Sequence, residues 1–246
     1  MPILIAILSD IHGNLPALES VLDDMSRFPI DRVISLGDVS GYYPFINEVI
    51  SLLKEHNALN LIGNHDRYII DDTECPRSYS ANLALIYQKS VLTEESRVWL
   101  KESISSFVSG EASFVHGGWN DPEDEYLYRI TPEYFARFEQ KYFFCGHTHV
   151  QRHVNLGNGQ FFTNPGSVGQ PRDGIETAAY CLFDEQRREV ILRRVAYDID
   201  RVTEKMKALG FEEKFYSNLY SGSRIGGRVD TIEVDIPYLV VKSKKY

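Results

Sequence analysis

The amino-acid sequence predicts an α/β fold, and three observations support this class. Over the first 62 residues, apolar runs of strand length alternate with amphipathic helical segments, in units of roughly 25 residues. Parallel strands joined by crossover helices produce this alternation. Beyond residue 150, strand-like segments follow one another with only short turns between them, which is typical of antiparallel strands. We therefore expect a mostly parallel sheet, followed by antiparallel strands that form or join a second sheet.

The first unit shows the pattern most clearly. Ile3 to Leu8 is a continuous apolar run, as expected for a strand that is covered on both faces. Asn14 can cap the helix that follows, and Pro16 is tolerated in the first turn of a helix. This helix would bury a single apolar stripe, formed by Leu15, Leu18, Leu22 and Met25.

Later elements are predicted from the same signals. Two more strands are expected at 32–36 and 58–62, with a helix opened by Pro44 between them. That helix has one apolar face, made of Ile46, Val49, Ile50 and Leu53. The next predicted elements are helices around 83–91 and 94–101, a strand at 112–115, an acidic loop at 119–128, a helix from Thr131-Pro132 and a strand at 142–145.

The last third of the chain is expected to be rich in strands. Strands are predicted at 160–163, 177–183 and 190–197, and Asp198 or Asp200 caps a helix that ends at Gly210. We expect one domain over residues 1–210 and a C-terminal extension, 211–246, packed on or extending that domain. The extension carries a glycine-rich turn without phosphate-loop spacing, interpreted as a connector, and a Val-, Ile- and Tyr-containing segment at 231–241.

Composition excludes several classes of partner. The net charge is −9 and no basic run occurs, which argues against binding to extended nucleic acid but permits a small phosphorylated ligand. Cys75, Cys145 and Cys181 are odd in number and widely spaced, so we expect reduced buried thiols. Met1 to Leu8 is apolar but lacks the basic flank and the length of a signal segment, so we expect no signal peptide, no membrane span and a cytoplasmic protein. The sequence does not predict the oligomeric state.

Groups able to bind metal follow each of the predicted parallel strands. They are Asp10 and His12, Asp38, Asn64 with His65 and Asp66, His116, and finally His147 and His149. Because the carboxyl ends of strands line the ligand crevice of an α/β sheet, these turns should meet in space. Carboxylate, amide and imidazole ligands without thiolate favour Mn, Fe, Zn or Ni. The set is too large for one ion and suits two, with Asp38 as the natural bridge.

This array resembles the calcineurin-like metallophosphoesterase superfamily. Its five motifs occur in the family's order, as Asp10-Ile11-His12, Gly37-Asp38-Val39-Ser40-Gly41, Gly63-Asn64-His65-Asp66, His116-Gly117 and Gly146-His147-Thr148-His149. Residues 164–169 also look like the following segment of small prokaryotic members related to phosphodiesterases and diadenosine-tetraphosphatase-like proteins. The resemblance covers residues 1 to about 210 and leaves the extension outside.

The resemblance implies a fold, a cofactor and a reaction. The fold would be a four-layer α-β-β-α sandwich of two mixed sheets flanked by helices. Two divalent ions, with Mn favoured, would each take four ligands and share Asp38. The implied sets are Asp10, His12, Asp38 and His149 for one ion, and Asp38, Asn64, His116 and His147 for the other. A metal-bridging hydroxide would attack phosphorus in line, while His65, oriented by Asp66, stabilises or protonates the leaving oxygen. The expected substrate is a small phosphodiester, with dinucleoside polyphosphates and phosphomonoesters, including phosphoproteins, as alternatives.

Several residues and one other function class stay open at this point. Arg172, and Asn64 in addition to its metal role, could contact a substrate phosphate, although Arg172 fits an exposed turn about as well. The 119–128 loop follows a candidate ligand and could form a pocket wall. His56 is expected to be solvated, and His153 fits either a surface strand or the neighbourhood of the pocket. The alternative class is a catalytically idle protein-interaction scaffold with the same fold, which would be expected to lose ligands; none is missing here.

Overall fold

The structure, a computed structural model, describes residues 3–236. The strands are β1 (Leu4–Leu8), β2 (Arg32–Ser35), β3 (Leu59–Asn60), β4 (Ser106–Ser109), β5 (Ala112–Val115), β6 (Arg129–Ile130), β7 (Tyr142–Phe144), β8 (Arg152–Asn155), β9 (Phe161–Asn164), β10 (Ala178–Asp184), β11 (Glu189–Val195) and β12 (Glu233–Val234). The helices are α1 (Leu15–Met25), α2 (Ile46–Glu55), α3 (Asn64–Ile70), α4 (Tyr79–Val91), α5 (Glu94–Lys101), α6 (Pro132–Phe135) and α7 (Ile199–Ala208).

Two mixed sheets of five strands each form the centre of the fold. The first has the order β11-β10-β1-β2-β3, in which β1, β2 and β3 run parallel. The second has the order β4-β5-β7-β9-β8, in which β5, β7 and β9 run parallel. Of the late strands, β9 joins the second sheet, while β10 and β11 return to the first and pair antiparallel beside β1. The expectation that all the late strands share the second sheet is therefore wrong for these two.

The strand pattern explains why the sheets face one another. Along β1, Ile5 and Ile7 point into the core between the sheets, where they meet Phe114 and Phe144 of the second sheet. Ala6 and Leu8, on the opposite face of β1, pack under the helices instead. Both faces of the strand are buried, which accounts for its continuous apolar sequence. The two sheets and seven helices within residues 3–236 confirm the predicted sandwich.

The two outer layers differ in thickness. Helices α1 and α2 cover the first sheet, and the apolar stripes predicted for them lie in its core, with Leu22 only partly buried. Asn14 caps α1 as predicted, accepting a hydrogen bond of 3.2 Å from the amide of Ala17. The second sheet is covered by the short α6, by Trp119 and by Ile232 of the C-terminal extension. The extension is therefore part of the layer that closes this side of the sandwich.

Three features were not predicted. Helix α3 begins at Asn64, directly after the third strand, where turn residues favoured a loop. Strand β4 forms a hairpin with β5, and β6 pairs with β12 of the extension. The segment predicted at 231–241 contains β12, and its residues 237–241 lie outside the described part of the chain. Within residues 3–236, none of the helices is both long and apolar enough to cross a membrane.

Candidate metal centre

The predicted ligands come together at one edge of the sandwich, where the parallel strands of both sheets end. Five of them adopt positive φ angles, an uncommon backbone region for residues other than glycine. These are Asp10 (54°), His12 (52°), Asp38 (53°), His147 (65°) and His149 (60°). All of the predicted ligands are buried, with exposures between 0 and 5%. Strained, buried polar residues clustered at strand ends are characteristic of functional sites.

One cluster contains Asp10, His12, Asp38 and His149. The Nε2 atoms of His12 and His149 lie 3.1 Å apart, and Nε2 of His149 lies 3.2 Å from Oδ1 of Asp10. Nε2 of His12 is also 3.8 Å from Oδ2 of Asp38. Nitrogen and oxygen ligands lie about 2.0–2.2 Å from a divalent ion. Two ligand atoms that share one ion are therefore expected at separations like the 3.1–3.8 Å observed between these side chains. The cluster contains the four residues predicted for the first ion, and their role as its ligands stays a prediction.

A second cluster lies on the other side of Asp38. Nε2 of His116 is 3.4 Å from Oδ2 of Asp38 and 3.1 Å from Nδ1 of His147. Oδ1 of Asn64 is buried and makes no hydrogen bond to any residue within 3–236. Oδ2 of Asp38 thus faces His12 on one side and His116 on the other. A carboxylate in this position can bridge two ions, as predicted for Asp38.

Hydrogen bonds to backbone carbonyls fix how three of the imidazoles face the site. Nδ1 of His12 lies 2.7 Å from the carbonyl of Ser40, Nδ1 of His116 3.0 Å from that of Leu36, and Nδ1 of His149 2.7 Å from that of Gln170. A carbonyl only accepts, so each Nδ1 carries a proton. In the neutral rings of His12 and His149 the Nε2 lone pairs then face one another, 3.1 Å apart. Facing lone pairs repel one another unless a cation lies between them. The residues present therefore fit a metal ion.

Charge within the site leads to the same conclusion. Burial raises the pKa of Asp10 and of Asp38, but the imidazoles beside them outweigh burial, and both carboxylates remain ionised. Burial lowers the pKa of His116, yet the carboxylate of Asp38 overcomes this and raises it to about 9. For His12, His147 and His149, burial dominates and lowers the pKa. Two buried carboxylates thus attract a proton onto His116, in the region where a cation would lie.

An aspartate that sequence reasoning missed, Asp124, lies beside His147. Its Nδ1 faces His116, and its Nε2 lies 3.4 Å from Oδ1 of Asp124. Arg77 holds Asp124 in turn, with a hydrogen bond of 2.9 Å from Nη1. Nε2 makes no hydrogen bond of good geometry within residues 3–236, and Asp124 is the carboxylate placed to accept its proton, which would leave the Nδ1 lone pair of His147 for an ion. Asp124 lies in the acidic 119–128 loop, and no local signal distinguishes it from the other acids there.

His65 and Asp66 have different surroundings. His65 packs edge-on against His12, with 4.9 Å between ring centroids, and its Nδ1 has no hydrogen-bond partner within residues 3–236. Burial lowers the pKa of His65 to about 4, so the ring is neutral at pH 7. Asp66 accepts hydrogen bonds from the amide and hydroxyl of Ser40, at 2.9 and 2.8 Å, and from the amide of Gly63 at 3.2 Å.

Both carboxylate oxygens of Asp66 are therefore directed at the loop after β2 and at the start of α3. The predicted contact in which Asp66 orients His65 is not present; the physical reason is that four nearby donors from Val39, Ser40 and Gly63 occupy the carboxylate. Asp66 instead fixes the backbone that carries Asp38. The backbone amide of His65 supports the same residue, since it donates a hydrogen bond of 2.8 Å to Oδ1 of Asp38.

Arg172 is placed beside the centre by β9, the remaining parallel strand of the second sheet. Its side chain is 4% exposed, which rules out the exposed turn considered from the sequence. The guanidinium donates to Oε1 of Gln170 at 2.6 Å and to the hydroxyl of Tyr42 at 3.2 Å. Within residues 3–236 it forms no ion pair with a carboxylate. The sequence signal for it is weak, because Arg172 lies eight residues beyond the end of β9, farther from its strand than the predicted ligands are from theirs.

A cavity of about 320 Å³ opens next to this centre. Asn64 and His65 line its inner end together with Arg172, and Tyr126 and Tyr128 line a wall, as proposed for the 119–128 loop. Arg224 of the C-terminal extension lines it too, a contribution that the sequence did not predict. The volume lies at the lower end of the range of about 300–1,000 Å³ that is typical of sites for small molecules.

Other residues singled out from the sequence lie away from the centre. His56 ends α2 and is exposed, as expected. His153 lies in β8, where Nδ1 is 2.8 Å from the hydroxyl of Thr163, so it belongs to a strand and not to either cluster. The three cysteines are free and buried, as predicted.

Comparison with known proteins identifies the class. A model of the calcineurin-like phosphoesterase superfamily domain matches residues 3–188, and the chain therefore belongs to this superfamily. It is 33% identical to an uncharacterised protein of Methanocaldococcus jannaschii, over 89% of this chain and 98% of that protein. A solved metallophosphoesterase of Sphaerobacter thermophilus is 31% identical, with a TM-score of 0.79, covering 90% of this chain and 100% of its own. A hypothetical protein of Pyrococcus horikoshii OT3 shares the fold, at 23% identity and a TM-score of 0.76, covering 89% and 98%.

Proposed function

We propose that the protein is a dinuclear metal-dependent phosphoesterase, with a small phosphodiester as the expected substrate. The observation that carries this proposal is the pair of buried clusters that share Oδ2 of Asp38, with two imidazole lone pairs facing one another in the first of them. Membership of the calcineurin-like superfamily supports it. Two divalent ions, when bound, would activate water and neutralise the phosphoryl oxygens.

Two sets of ligands are proposed, one on each side of Asp38. Asp10, His12 and His149 would hold one ion with Asp38, and Asn64, His116 and His147 would hold the other with it. Mn²⁺ is our first choice of metal. Nitrogen and oxygen ligands without thiolate also accept Fe, Zn and Ni, so these ions are the alternatives. His65 also lies within 4.8 Å of His12 and Asp38, but we assign it to the leaving group because its side chain also lines the cavity.

The remaining polar groups would handle the substrate. Arg172 is a buried cation at the inner end of the cavity and would bind the phosphoryl oxygens, beside the amide of Asn64. His65, neutral at pH 7, would donate a hydrogen bond to the leaving oxygen. This hydrogen bond would stabilise the negative charge that develops on the leaving oxygen, and the oxygen would take its proton from water. Catalysis would thus combine charge neutralisation with positioning.

The cavity favours a small substrate, and its volume of about 320 Å³ accommodates a group of nucleotide size better than a protein loop. Dinucleoside polyphosphates and phosphomonoesters are the alternatives within the same class. A panel of phosphoesters, tested with each of the four metals, discriminates among them.

Hydrolysis of bis-p-nitrophenyl phosphate and p-nitrophenyl phosphate by protein supplied with Mn²⁺ is the direct test. Asn64→Ala and His116→Ala should each abolish turnover while leaving the circular dichroism spectrum unchanged. His56→Ala is the matched control, because His56 is exposed and lies outside both clusters. Absence of turnover with every metal over a broad panel would overturn the proposal and favour a protein-interaction scaffold.

A further inference from the structure

The cavity beside the metal centre carries more positive charge than one phosphoryl group requires. Three arginines line it, Arg77, Arg172 and Arg224, and within residues 3–236 no aspartate or glutamate does. Arg77 is paired with Asp124 behind the wall. Arg224 and Arg228 share the single carboxylate of Asp230, so this cluster keeps a net positive charge.

Arg224 is connected to the candidate metal centre through two stacked tyrosines. Tyr126 stacks on His147 with 3.7 Å between ring centroids, and Tyr128 stacks on Tyr126 at 5.5 Å and 4°. Arg224 contacts the hydroxyl of Tyr128, the second ring of this stack. The contacts that lead from the candidate ligand His147 to Arg224 thus pass through two rings. We infer that an anion at Arg224 belongs to a different part of the substrate from the group at the centre.

The position of Arg224 is fixed by the fold. Its Nε donates to Asp230 at 2.5 Å and one Nη donates to Tyr128, which leaves the other Nη without a partner within residues 3–236. The extension is also tied by its backbone to both walls of the cavity. The amide of Asp230 donates to the carbonyl of Arg172 at 2.7 Å, and that of Glu233 donates to the carbonyl of Tyr128 at 2.8 Å. A guanidinium held in this way is preorganised to bind an anion.

The tight turn that carries Arg224 explains the glycines of the extension. The amide of Gly227 donates to the carbonyl of Arg224, and that of Arg224 donates to the carbonyl of Arg228, each at 2.8 Å. Gly226 and Gly227 have φ angles of 97° and 87°, which favour glycine. The turn predicted to be a connector thus presents one arginine to the cavity and leaves the other, Arg228, 69% exposed.

We propose that the substrate carries a second phosphate group, which Arg224 recognises at the outer end of the cavity. This inference rests on the proposed function, because it takes the first phosphate to lie at the metal centre. The substrate class is then a small organic phosphodiester with an additional phosphate. The superfamily model ends at residue 188, so the turn that carries Arg224 and binds the second phosphate lies beyond the matched domain.

Matched nucleotides test the proposal by binding. Thymidine 3′,5′-bisphosphate and thymidine 5′-monophosphate are titrated calorimetrically into Mn²⁺-loaded wild-type, Arg224→Gln and Arg228→Gln proteins. We expect the wild type to prefer the bisphosphate about tenfold, the factor for one charge-assisted hydrogen bond at a partly exposed site. Arg224→Gln should lose this preference. Arg228→Gln, which changes the same turn and the same partner Asp230 but not the cavity lining, should keep it.

Turnover gives the second readout. Thymidine 5′-(p-nitrophenyl phosphate) and its 3′-phosphorylated counterpart differ only in the extra phosphate, and kcat/KM should favour the latter in wild type but not in Arg224→Gln. Equal affinity of the wild type for the two nucleotides, or a similar loss in both variants, would overturn the proposal. If the binding preference is present and depends on Arg224 while no ester is hydrolysed, the second-phosphate site stands and the proposed enzymatic function fails.

Discussion

Replacing Gly63 by alanine should displace Asp38 without straining the backbone at the site of substitution. Gly63 has φ −97° and ψ 170°, an extended conformation that alanine adopts freely. A Cβ atom there would lie 2.1 Å from Oδ1 and 2.5 Å from the amide nitrogen of Asp38. Ordinary van der Waals contacts begin at 3.4 Å, so the shortfall is more than 1 Å. The substitution therefore acts directly on the proposed bridging residue.

Two hydrogen bonds restrain the movement of Asp38. Its carbonyl accepts a hydrogen bond of 2.9 Å from the amide of His12, and its Oδ1 accepts one of 2.8 Å from the amide of His65. Relief of the clash must shift its carboxylate, relative to both clusters, by about 1 Å. A displacement of this size typically reduces catalysis about 100-fold. We expect a similar loss of Mn²⁺ affinity, equivalent to about 2.7 kcal/mol.

Calorimetric titration of Mn²⁺ into metal-free protein measures this effect directly, and hydrolysis of bis-p-nitrophenyl phosphate provides the functional readout. Gly110→Ala is the control. Gly110 has φ 53° and no atom within 4 Å of the position of a Cβ, so it should cost about 1–2 kcal/mol of stability and leave metal binding intact. Gly63→Ala protein that is folded and binds Mn²⁺ within threefold of the wild type would show that Asp38 is not held as described.

Two further predictions concern residues outside the ligand set. Asp124→Asn should weaken Mn²⁺ binding about 10–100-fold by removing the acceptor beside Nε2 of His147; unchanged affinity in the same titration would exclude this orienting role. Asp24→Asn should lower the free energy of unfolding by about 2–3 kcal/mol at pH 7, measured by urea denaturation, because the buried carboxylate accepts hydrogen bonds of 2.7 Å from Tyr180 and 2.8 Å from Arg193. Asp23→Asn, at an exposed neighbour, should change it by less than about 0.5 kcal/mol.

The effect at Asp24 should also depend on pH. Burial raises the pKa of this carboxyl, but the hydrogen bonds from Tyr180 and Arg193 outweigh burial and hold it below the ordinary value of 3.8. The stabilisation is therefore complete above that value and is lost as the pH falls through the folded-state pKa. The difference between wild type and Asp24→Asn should shrink accordingly as the pH is lowered from 5 towards 3. A difference that stays constant over this range would contradict the assignment.

Local patterns were sufficient to predict which candidate ligands come together. Asp10, Asp38 and His116 each follow an apolar strand, and parallel strands place their carboxyl ends at one edge, so sequence position alone predicted their meeting. The rule is weaker for Arg172, which lies eight residues beyond the end of β9. The division of His147 and His149 between two clusters agrees with the predicted division, and their roles as ligands stay predictions that metal titration can test.

The sequence did not predict contacts between residues that lie far apart along the chain. Asp124 reaches His147 from a loop of similar acidic residues, and only the folded backbone shows which acid is close. Arg224 is 96 residues from Tyr128, and the turn that carries it has no motif. The short turn between β10 and β11 predicted that these strands are antiparallel. It did not predict that β10 pairs with β1, because that depends on which sheet has a free edge in the folded protein. Such choices depend on packing between distant segments, which local periodicity does not encode.

The positive φ angles of the candidate ligands have a consequence for how this fold can change. A left-handed conformation costs an L-residue about 1–2 kcal/mol relative to glycine, and Asp10, His12, Asp38, His147 and His149 all adopt it. Glycine at any of these positions would relieve local strain while removing a ligand. Gains in thermal stability and losses of metal affinity are thus coupled through the same five backbone positions. Engineering this scaffold for stability alone would tend to remove its metal site first.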